Sequence, residues 1–193
     1  MKTVVVGGHS RNIGKTSVVA GIVAALPERN WTAVKITQYG HGICSVSNEP
    51  CACAVEDPTC PYAISEEGNR TGRSDTSRFL AAGARRALWV RTRVGRLATA
   101  MPALRETLAG EENVIIESNS VMEFLKPDLY LAVMDPAVKD FKESARRFLK
   151  RADALILLGD KRTGKNACPT FHARRGRYVT PEIVAFVAQR LKL

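Results

Sequence analysis

A glycine-rich stretch near the start of the chain constrains the fold most strongly. The segment GGHSRNIGKTS spans residues 7–17, follows the β-branched run Thr3–Val6, and precedes a helical pattern. A strand, a glycine loop ending in Gly-Lys-Thr and a helix are the context of a phosphate-binding P-loop, G-x-x-x-x-G-K-[ST]. His9 stands where that pattern has its first glycine, and Gly8 lies one step earlier. We therefore predict a phosphate loop with one extra residue, bulged at 9–11.

This loop predicts a binding site for a nucleoside triphosphate. Backbone N–H groups and the N-terminus of a helix hold phosphate oxygens, a lysine reaches the β- and γ-phosphates, and a threonine hydroxyl binds Mg²⁺. Lys15 and Thr16 are in place for the last two roles, and Arg11 would lie over the phosphates. His9 is either a turn residue or a ligand. The loop residues expected to contact the nucleotide are Gly8, Ser10, Arg11, Asn12, Ile13, Gly14, Lys15, Thr16 and Ser17.

Apolar runs alternate with helical patterns along the chain. Unbroken apolar strands that alternate with helices indicate a parallel sheet covered on both faces. We predict an α/β fold of three layers, with a mostly parallel sheet and helices on both faces, as one P-loop NTPase domain over residues 1–193. An insertion at about 38–73 is expected to lack regular secondary structure. The expected strands are Thr3–Val6, Thr32–Ile36, Ala87–Val90, Val114–Ile116, Leu129–Val133 and Ala154–Leu158, and the expected helices are 15–26, 76–86, 95–109, 137–151 and 180–191.

Two acidic residues are candidates for holding Mg²⁺ together with Thr16. Glu117 ends the strand Val114–Ile116, and ligands of open α/β sheets bind at the carboxyl ends of the strands. Carboxylates hold this ion directly or through water. Asp75 precedes a predicted helix. The alternatives are a capping or surface role for Glu117 and a helix N-cap for Asp75.

Four stretches together resemble one family. GKTS, AVKITQYG, SDTSRFLAAGA and VIIES occur in the order seen in molybdopterin-guanine dinucleotide biosynthesis protein B, whose P-loop class also holds dethiobiotin synthetase. The resemblance covers about residues 3–135. It implies that Lys35 faces the γ-phosphate or a substrate as a second catalytic candidate beside Lys15, and that Glu117 serves Mg²⁺. The chain departs from the family in its longer P-loop, and in Ser118 to Ser120 after that glutamate.

The base of the nucleotide is left open by the sequence. The segment GDKRTGK, residues 159–165, follows the strand that ends at Leu158. Asp160 and Lys161 are there in a plausible place for base recognition, in the reverse order of the guanine-specific Asn-Lys-x-Asp motif. A carboxylate can accept hydrogen bonds from the edge of guanine. Both GTP and ATP therefore remain candidates.

The expected insertion carries four cysteines. Cys44, Cys51, Cys53 and Cys60 are spaced C-x6-C-x-C-x6-C. Four thiolates at this density can hold Zn²⁺ or an iron–sulfur cluster. Redox-active thiols and unligated loop cysteines are the alternatives. Cys168 stands apart and is expected to be a small buried residue.

The charge of the chain favours anionic partners. The formal net charge is +10, which suits nucleotides and phosphorylated metabolites, although a solvated basic surface is the alternative. No aromatic residues interleave with the arginines as a stacking platform requires, so nucleic acid is the weaker candidate. The longest apolar run, Ser17 to Leu26, is too short to cross a bilayer. We expect a cytoplasmic protein without a membrane partner, and a homodimer is possible.

Three functions are compatible with these patterns. The first is an NTP-binding enzyme or accessory protein of cofactor biosynthesis with slow turnover. The second is a kinase or ligase that acts on a small acidic metabolite held by Lys35 and the basic stretch after Arg70. The third is a non-catalytic, nucleotide-gated adapter for a partner enzyme. The spacing of the residues assigns no catalytic base, which fits slow turnover or completion by a partner.

Overall fold

The computed structural model describes residues 1–40, 60–159 and 168–192. The strands in this part of the chain are β1 (Lys2–Gly8), β2 (Thr32–Tyr39), β3 (Tyr62–Glu66), β4 (Arg86–Arg93), β5 (Asn113–Glu117), β6 (Leu129–Met134), β7 (Ala154–Leu158) and β8 (Thr170–Ala173). The helices are α1 (Lys15–Ala25), α2 (Asp75–Ala81), α3 (Leu97–Thr107), α4 (Glu143–Phe148) and α5 (Pro181–Arg190). None of these helices is long and apolar enough to cross a membrane.

All eight strands form one sheet in the order β3-β4-β2-β5-β1-β6-β7-β8. Every neighbouring pair is parallel except β3 and β4. The central strand β1 lies between β5 and β6, and most side chains of these three strands are buried. Their continuous apolar sequences suit a sheet that is covered on both faces. The carboxyl ends of the parallel strands therefore lie along one edge of the sheet, the edge at which β1 ends at Gly8.

Each face of the sheet carries its own apolar core. Val4 and Val6 of β1 pack with Ile22 of α1, Phe79 of α2 and Ile183 of α5. The intervening Val5 faces the other side, where the core includes Leu104 of α3 and Phe148 of α4. This alternation follows from the period of two in a strand. The predicted three-layer α/β fold is confirmed.

The expected insertion contains a strand that the sequence analysis missed. The prediction that 38–73 lacks regular secondary structure is wrong at Tyr62–Glu66, where β3 pairs antiparallel with β4. Tyr62 and Ile64 pack on the second core, and Ala63 and Ser65 point the other way. This short alternation stood among glycine, proline and cysteine, which hid it. β2 also runs three residues beyond Ile36.

The expected helix over 137–151 is shorter than predicted. α4 begins at Glu143 and passes into a 3-10 turn at Leu149–Arg151. The segment 135–142 instead folds back over the glycine loop, where the Lys142 backbone N–H donates to the His9 carbonyl oxygen over 2.8 Å. Ala145 and Phe148 of α4 are buried. Strand β8, which the sequence analysis did not identify, completes the far edge of the sheet.

Candidate functional site

The glycine loop connects β1 to α1 at the carboxyl edge of the sheet. Two of its residues adopt the left-handed conformation, Asn12 with a φ of 52° and Gly14 with a φ of 87°. A side chain at Gly14 would also overlap the ring of Tyr178, so glycine is required there for two reasons. Ile13 is buried in the core below the loop. The loop thus turns sharply while its backbone remains at the surface of a cavity.

The start of the loop is held by an asparagine that follows the neighbouring strand β5. The Asn119 side chain accepts from the Gly8 backbone N–H and donates to the Gly8 carbonyl oxygen, both over 2.8 Å. The Tyr130 hydroxyl donates to the same amide oxygen over 3.3 Å. These groups are buried, and an unpaired buried polar group is costly. Asn119 therefore fixes the position at which the loop leaves β1.

The bulged part of the loop is held by the segment 135–142. The His9 ring is buried, and its Nε2 donates to the Val138 carbonyl oxygen over 3.1 Å, because that oxygen can only accept. The Ser10 hydroxyl donates to Asp140 over 2.8 Å. His9 is thus a structural residue that fastens the extra length of the loop, and its role as a ligand finds no support in this arrangement.

Several cations converge above the loop. Lys15 donates to the Ser10 carbonyl oxygen over 2.7 Å, and burial lowers its pKa. Burial, together with the nearby charges of Lys15, Arg11 and Lys35, lowers the pKa of Lys142 to about 8. Like charges this close repel each other, which favours a bound polyanion.

The end of the loop meets two carboxylates and a lysine. The Thr16 hydroxyl donates to Glu117 over 2.8 Å, and Glu117 is only 3% exposed. The Lys35 ammonium lies 2.6 Å from Glu117 and 2.6 Å from Asp75. Burial opposes the charged form of Lys35, but the two carboxylates raise its pKa overall. Burial likewise opposes ionisation of Asp75, and Lys35 holds its pKa below the usual value.

Asp75 is placed by the first turn of α2. It is the first helical residue, and the N-cap is Ser74, whose hydroxyl oxygen accepts from the Ser77 backbone N–H over 3.0 Å. The same hydroxyl donates to Glu67 over 2.9 Å. The alternative role of Asp75 as the helix N-cap is therefore wrong, because Ser74 occupies that position. Its carboxylate is left to point at Lys35.

Thr16, Asp75 and Glu117 form a donor set that fits a hard divalent cation. A hydroxyl and two carboxylates offer oxygen ligands, which Mg²⁺ prefers. The three side chains share hydrogen-bonded or ionic partners at the mouth of the glycine loop. Among the described residues there is no cluster of three or more His, Cys, Asp or Glu side chains that could hold a metal. Any ion at this site would therefore take its remaining ligands from phosphate and water.

A cavity of about 850 Å³ opens over these residues. It runs from the glycine loop to the ends of β2 and β4, where Thr37 and Trp89 line it. A second cavity, of about 360 Å³, lies at the carboxyl ends of β6, β7 and β8 and is lined by Asp135, Gly159 and Arg175 among others. Arg175 donates to Asp135 over 2.8 Å. This hydrogen bond lowers the pKa of the Asp135 carboxyl, although burial opposes its ionisation.

The structure gathers most of the predicted site at one place. Gly8, Ser10, Ile13 and Gly14 form the turn, Arg11, Asn12, Lys15 and Thr16 line the large cavity, and Ser17 accepts a hydrogen bond from Arg78. Asp160, Lys161, Cys44, Cys51 and Cys53 lie outside the described residues, so base recognition and the cysteine metal site stay predictions. Cys60 is exposed just before β3, and Cys168 is half-buried rather than buried.

Four residues of the site were missed by the sequence analysis. They are Trp89, Asn119, Lys142 and Tyr178. Asn119 had a usable signal, since it follows Glu117 at the carboxyl end of a buried strand. The other three reach the cavity through tertiary contacts, with no local pattern that marks them.

The glycine loop connects the first strand of a largely parallel sheet to the first helix, and a carboxylate of the adjacent strand contacts its threonine. This arrangement defines a P-loop NTPase fold. No protein-family model matches the sequence, and no curated protein matches it. Among solved structures, LpxK from Aquifex aeolicus in complex with ATP is 20% identical with a TM-score of 0.51, over 89% of this chain and 53% of that one. The chain thus spans about half the length of LpxK.

Two further structures align along most of the chain. HypB from Helicobacter pylori in complex with nickel is 14% identical with a TM-score of 0.52, over 98% of this chain and 86% of that one. MobB from Bacillus subtilis is 20% identical over 98% of both chains, with a TM-score of 0.42. The likeness to LpxK and HypB shows the fold, and the predicted P-loop NTPase fold is confirmed.

Proposed function

We propose that this protein binds a purine nucleoside triphosphate with Mg²⁺ and slowly cleaves or transfers the terminal phosphate. The observation that carries the proposal is the contact of Thr16 with Glu117 beside the Lys35–Asp75 ion pair. It brings an oxygen donor set for a divalent cation to the first turn of α1, where the glycine loop offers its backbone N–H groups.

Each side chain has a distinct task in this proposal. Lys15 leaves the Ser10 carbonyl oxygen and binds the β- and γ-phosphates. Thr16, Asp75 and Glu117 hold Mg²⁺, which neutralises charge on the phosphate oxygens when it is bound. Lys35, once released from one of its carboxylates, stabilises charge on the transferred group. Lys142 and Arg11 line the same cavity and hold the polyphosphate there.

The second cavity is the candidate site for the base. Gly159 lines it and directly precedes Asp160 and Lys161, the two residues predicted to recognise the base. Its carboxylate Asp135 and its arginines can pair with donors and acceptors of either purine. GTP and ATP both remain candidates, and the complex of LpxK with ATP favours testing ATP first.

Three other roles stay open beside this one. The motifs shared with molybdopterin-guanine dinucleotide biosynthesis protein B favour a task in cofactor biosynthesis, for which a partner enzyme or a homodimer remains a prediction. The part of the cavity next to Trp89 favours the alternative of a kinase or ligase for a small acidic metabolite, because it extends well beyond the phosphate loop. A non-catalytic adapter is the remaining alternative.

Calorimetric titration tests the proposed function. Mg·ATP and Mg·GTP are titrated into the wild type, into Lys15→Ala, and into Lys126→Ala as a charge-matched control at an exposed site. We expect Lys15→Ala to lose roughly 2–5 kcal/mol of binding free energy, since a buried charge contact is removed, and chelation of Mg²⁺ to weaken binding to the wild type.

Equal affinity of wild type and Lys15→Ala would contradict nucleotide binding by the loop. A phosphate-release assay on the same samples separates an enzyme from an adapter. Tight binding without any release of phosphate, alone or with candidate acceptors, would favour the adapter.

A further inference from the structure

The large cavity has a part that the nucleotide site does not use. Lys35 and Thr37 of β2 are paired in register with Trp89 and Arg91 of β4. These four side chains lie on the face of the sheet that carries α1 and α2, because Ala33 and Ala87 on the same alternation belong to that core. α2 has only seven residues. Lys35, Thr37 and Trp89 line the cavity beyond this helix, and Arg91 is half-buried beside them.

Trp89 and Arg91 form a stacked pair on this surface. The Arg91 guanidinium carbon lies 4.5 Å from the centre of the Trp89 ring, and the indole N–H donates to the Thr37 hydroxyl over 2.9 Å. This hydrogen bond fixes the direction in which the indole ring points. A guanidinium on an aromatic face is presented in a fixed plane, which prepares it for two-point binding of an oxyanion.

Arg91 also has an unsatisfied donor. Its Nε is buried and has no hydrogen-bond acceptor among the described residues. The residues paired with it in register are Thr37 and Ala63, neither of which is charged. A buried donor without an acceptor is unfavourable, because it loses its hydrogen bonds to water without replacing them. Because Nε itself is closed to solvent, an oxyanion would bind the outer N–H groups of the guanidinium.

We propose that the Trp89–Arg91 surface is a second binding site, for a small organic molecule that carries an oxyanion, either a carboxylate or a phosphate ester. Arg91 holds the oxyanion and the Trp89 ring supports the carbon skeleton. The opposite end of such a ligand lies toward Lys35 and Asp75, beside the terminal phosphate of a bound nucleotide. The chemistry of this site indicates the class of molecule that would accept the transferred phosphate. Binding of the oxyanion does not depend on the proposed nucleotide function, whereas the role of the site as an acceptor site rests on it.

Intrinsic fluorescence gives a direct measurement of this site. The chain has two tryptophans, and Trp31 is buried in the core, only 1% exposed, so a ligand at the surface changes the emission of Trp89. The full chain is titrated with succinate and, separately, with glycerol phosphate, which distinguishes a carboxylate from a phosphate ester. Each titration is done with and without Mg·ATP. We expect a saturable change for at least one probe, and its absence in Trp89→Phe.

The variant Arg91→Gln tests the role of the guanidinium. We expect it to weaken the affinity for the probe by roughly tenfold, the effect of one lost charge-assisted hydrogen bond, without a change in the affinity for Mg·ATP. Arg105→Gln, which makes the same charge change on α3 across the sheet, should bind the probe like the wild type. Arg91→Lys provides a second variant that keeps the charge and loses the planar fork, and it should also bind more weakly.

Two results would overturn the proposal. One is a failure of the probe to bind at this site, seen as no saturable change in the fluorescence of the wild type or as equal affinity in wild type, Arg91→Gln and Arg91→Lys. The other is loss of probe binding in Lys15→Ala or its displacement by Mg·ATP, which would place the anion in the glycine loop. If the probe binds at Trp89 and Mg·ATP does not bind at all, the site stands and the proposed nucleotide function fails.

Discussion

At the scale of single residues, the site depends on charges that are brought close together before any ligand binds. Lys15, Lys35, Lys142 and Arg11 line one cavity. The pKa of Lys35, which lies between two carboxylates, is raised, whereas burial lowers the pKa of Lys15 and of Lys142 despite the carboxylates near them. Such a site gains more from a polyphosphate than an exposed basic patch would, because the charges are already desolvated.

The lowered pKa of Lys142 predicts a pH dependence of nucleotide binding. Without ligand, Lys142 loses its proton as the pH rises through about 8. A bound polyphosphate stabilises the charged form, so binding takes up a proton above this pH. We expect the affinity of the wild type to fall by up to about tenfold per pH unit above this point. Calorimetry from neutral pH upward measures it.

Lys142→Met is the control for this effect. It should bind more weakly at neutral pH and show a flatter profile, whereas Lys150→Met, at an exposed position in the following turn, should keep the wild-type profile. Identical profiles for Lys142→Met and wild type would assign the pH dependence to another group.

At the scale of secondary structure, α2 is a short helix with a precise task. Its first residue, Asp75, meets Lys35, and its N-cap, Ser74, connects it to Glu67 in the preceding loop. A helix of two turns has few internal hydrogen bonds, so the cap contributes a large part of its local stability. The position of a metal ligand thus depends on a serine that does not itself touch the metal site.

Replacement of this N-cap should affect both stability and Mg²⁺ binding. We expect Ser74→Ala to lose about 1 kcal/mol of unfolding free energy, the usual cost of an N-cap, in denaturant unfolding followed by circular dichroism. The Mg²⁺ concentration needed for nucleotide binding should rise, because Asp75 is held less firmly. Ser74→Thr retains both the acceptor for the Ser77 backbone N–H and the donor to Glu67, and it should restore the stability. A Ser74→Ala protein with unchanged stability and Mg²⁺ dependence would show that α2 is held by its other contacts.

How far the sequence predicts these elements depends on the range of the interactions. The strand, glycine loop and first helix follow from local patterns, and Glu117 was found because a buried strand ends there. The helix expected over 137–151 fails at its start. Val138, Phe141, Ala145 and Phe148 have helical spacing, but Phe141 packs against the ring of His9 and Val138 accepts from that ring. A contact across 129 positions overrides a local pattern.

At the scale of the whole molecule, buried or paired carboxylates join distant parts of the fold. Glu111 accepts from Thr32 at the start of β2 and from Arg85 and Arg86 beside β4. Burial opposes its ionisation, but these partners lower its pKa overall. Asp128 holds the N-terminal end of β1 through the Thr3 backbone N–H. In a chain with a net charge of +10, loss of these negative charges also increases repulsion.

Stability should therefore fall in acid. The Asn69 backbone N–H and the Ser74 hydroxyl lower the pKa of Glu67 from 4.5 to about 2. A carboxyl with a lowered pKa in the folded state stabilises the protein above its unfolded pKa, and this contribution is lost as the pH falls between these values. We expect Glu67→Gln to lose stability at neutral pH and to show a shallower decline in acid than the wild type.

Thermal unfolding at a series of pH values measures this difference. Glu28→Gln, which makes the same change of charge at an exposed turn after α1, should follow the wild-type curve. Parallel curves for Glu67→Gln and wild type would show that Glu67 makes no pH-dependent contribution.

The contacts of the glycine loop have a consequence for the synthesis of the protein. Gly8, Ser10 and His9 are held by Asn119, Asp140 and Lys142. A ribosome adds these partners more than a hundred positions after the loop itself. The growing chain therefore cannot present a finished phosphate loop until Lys142 has left the ribosome. A nucleotide in the cell can stabilise the completed fold, but it cannot guide the earlier steps of folding during translation.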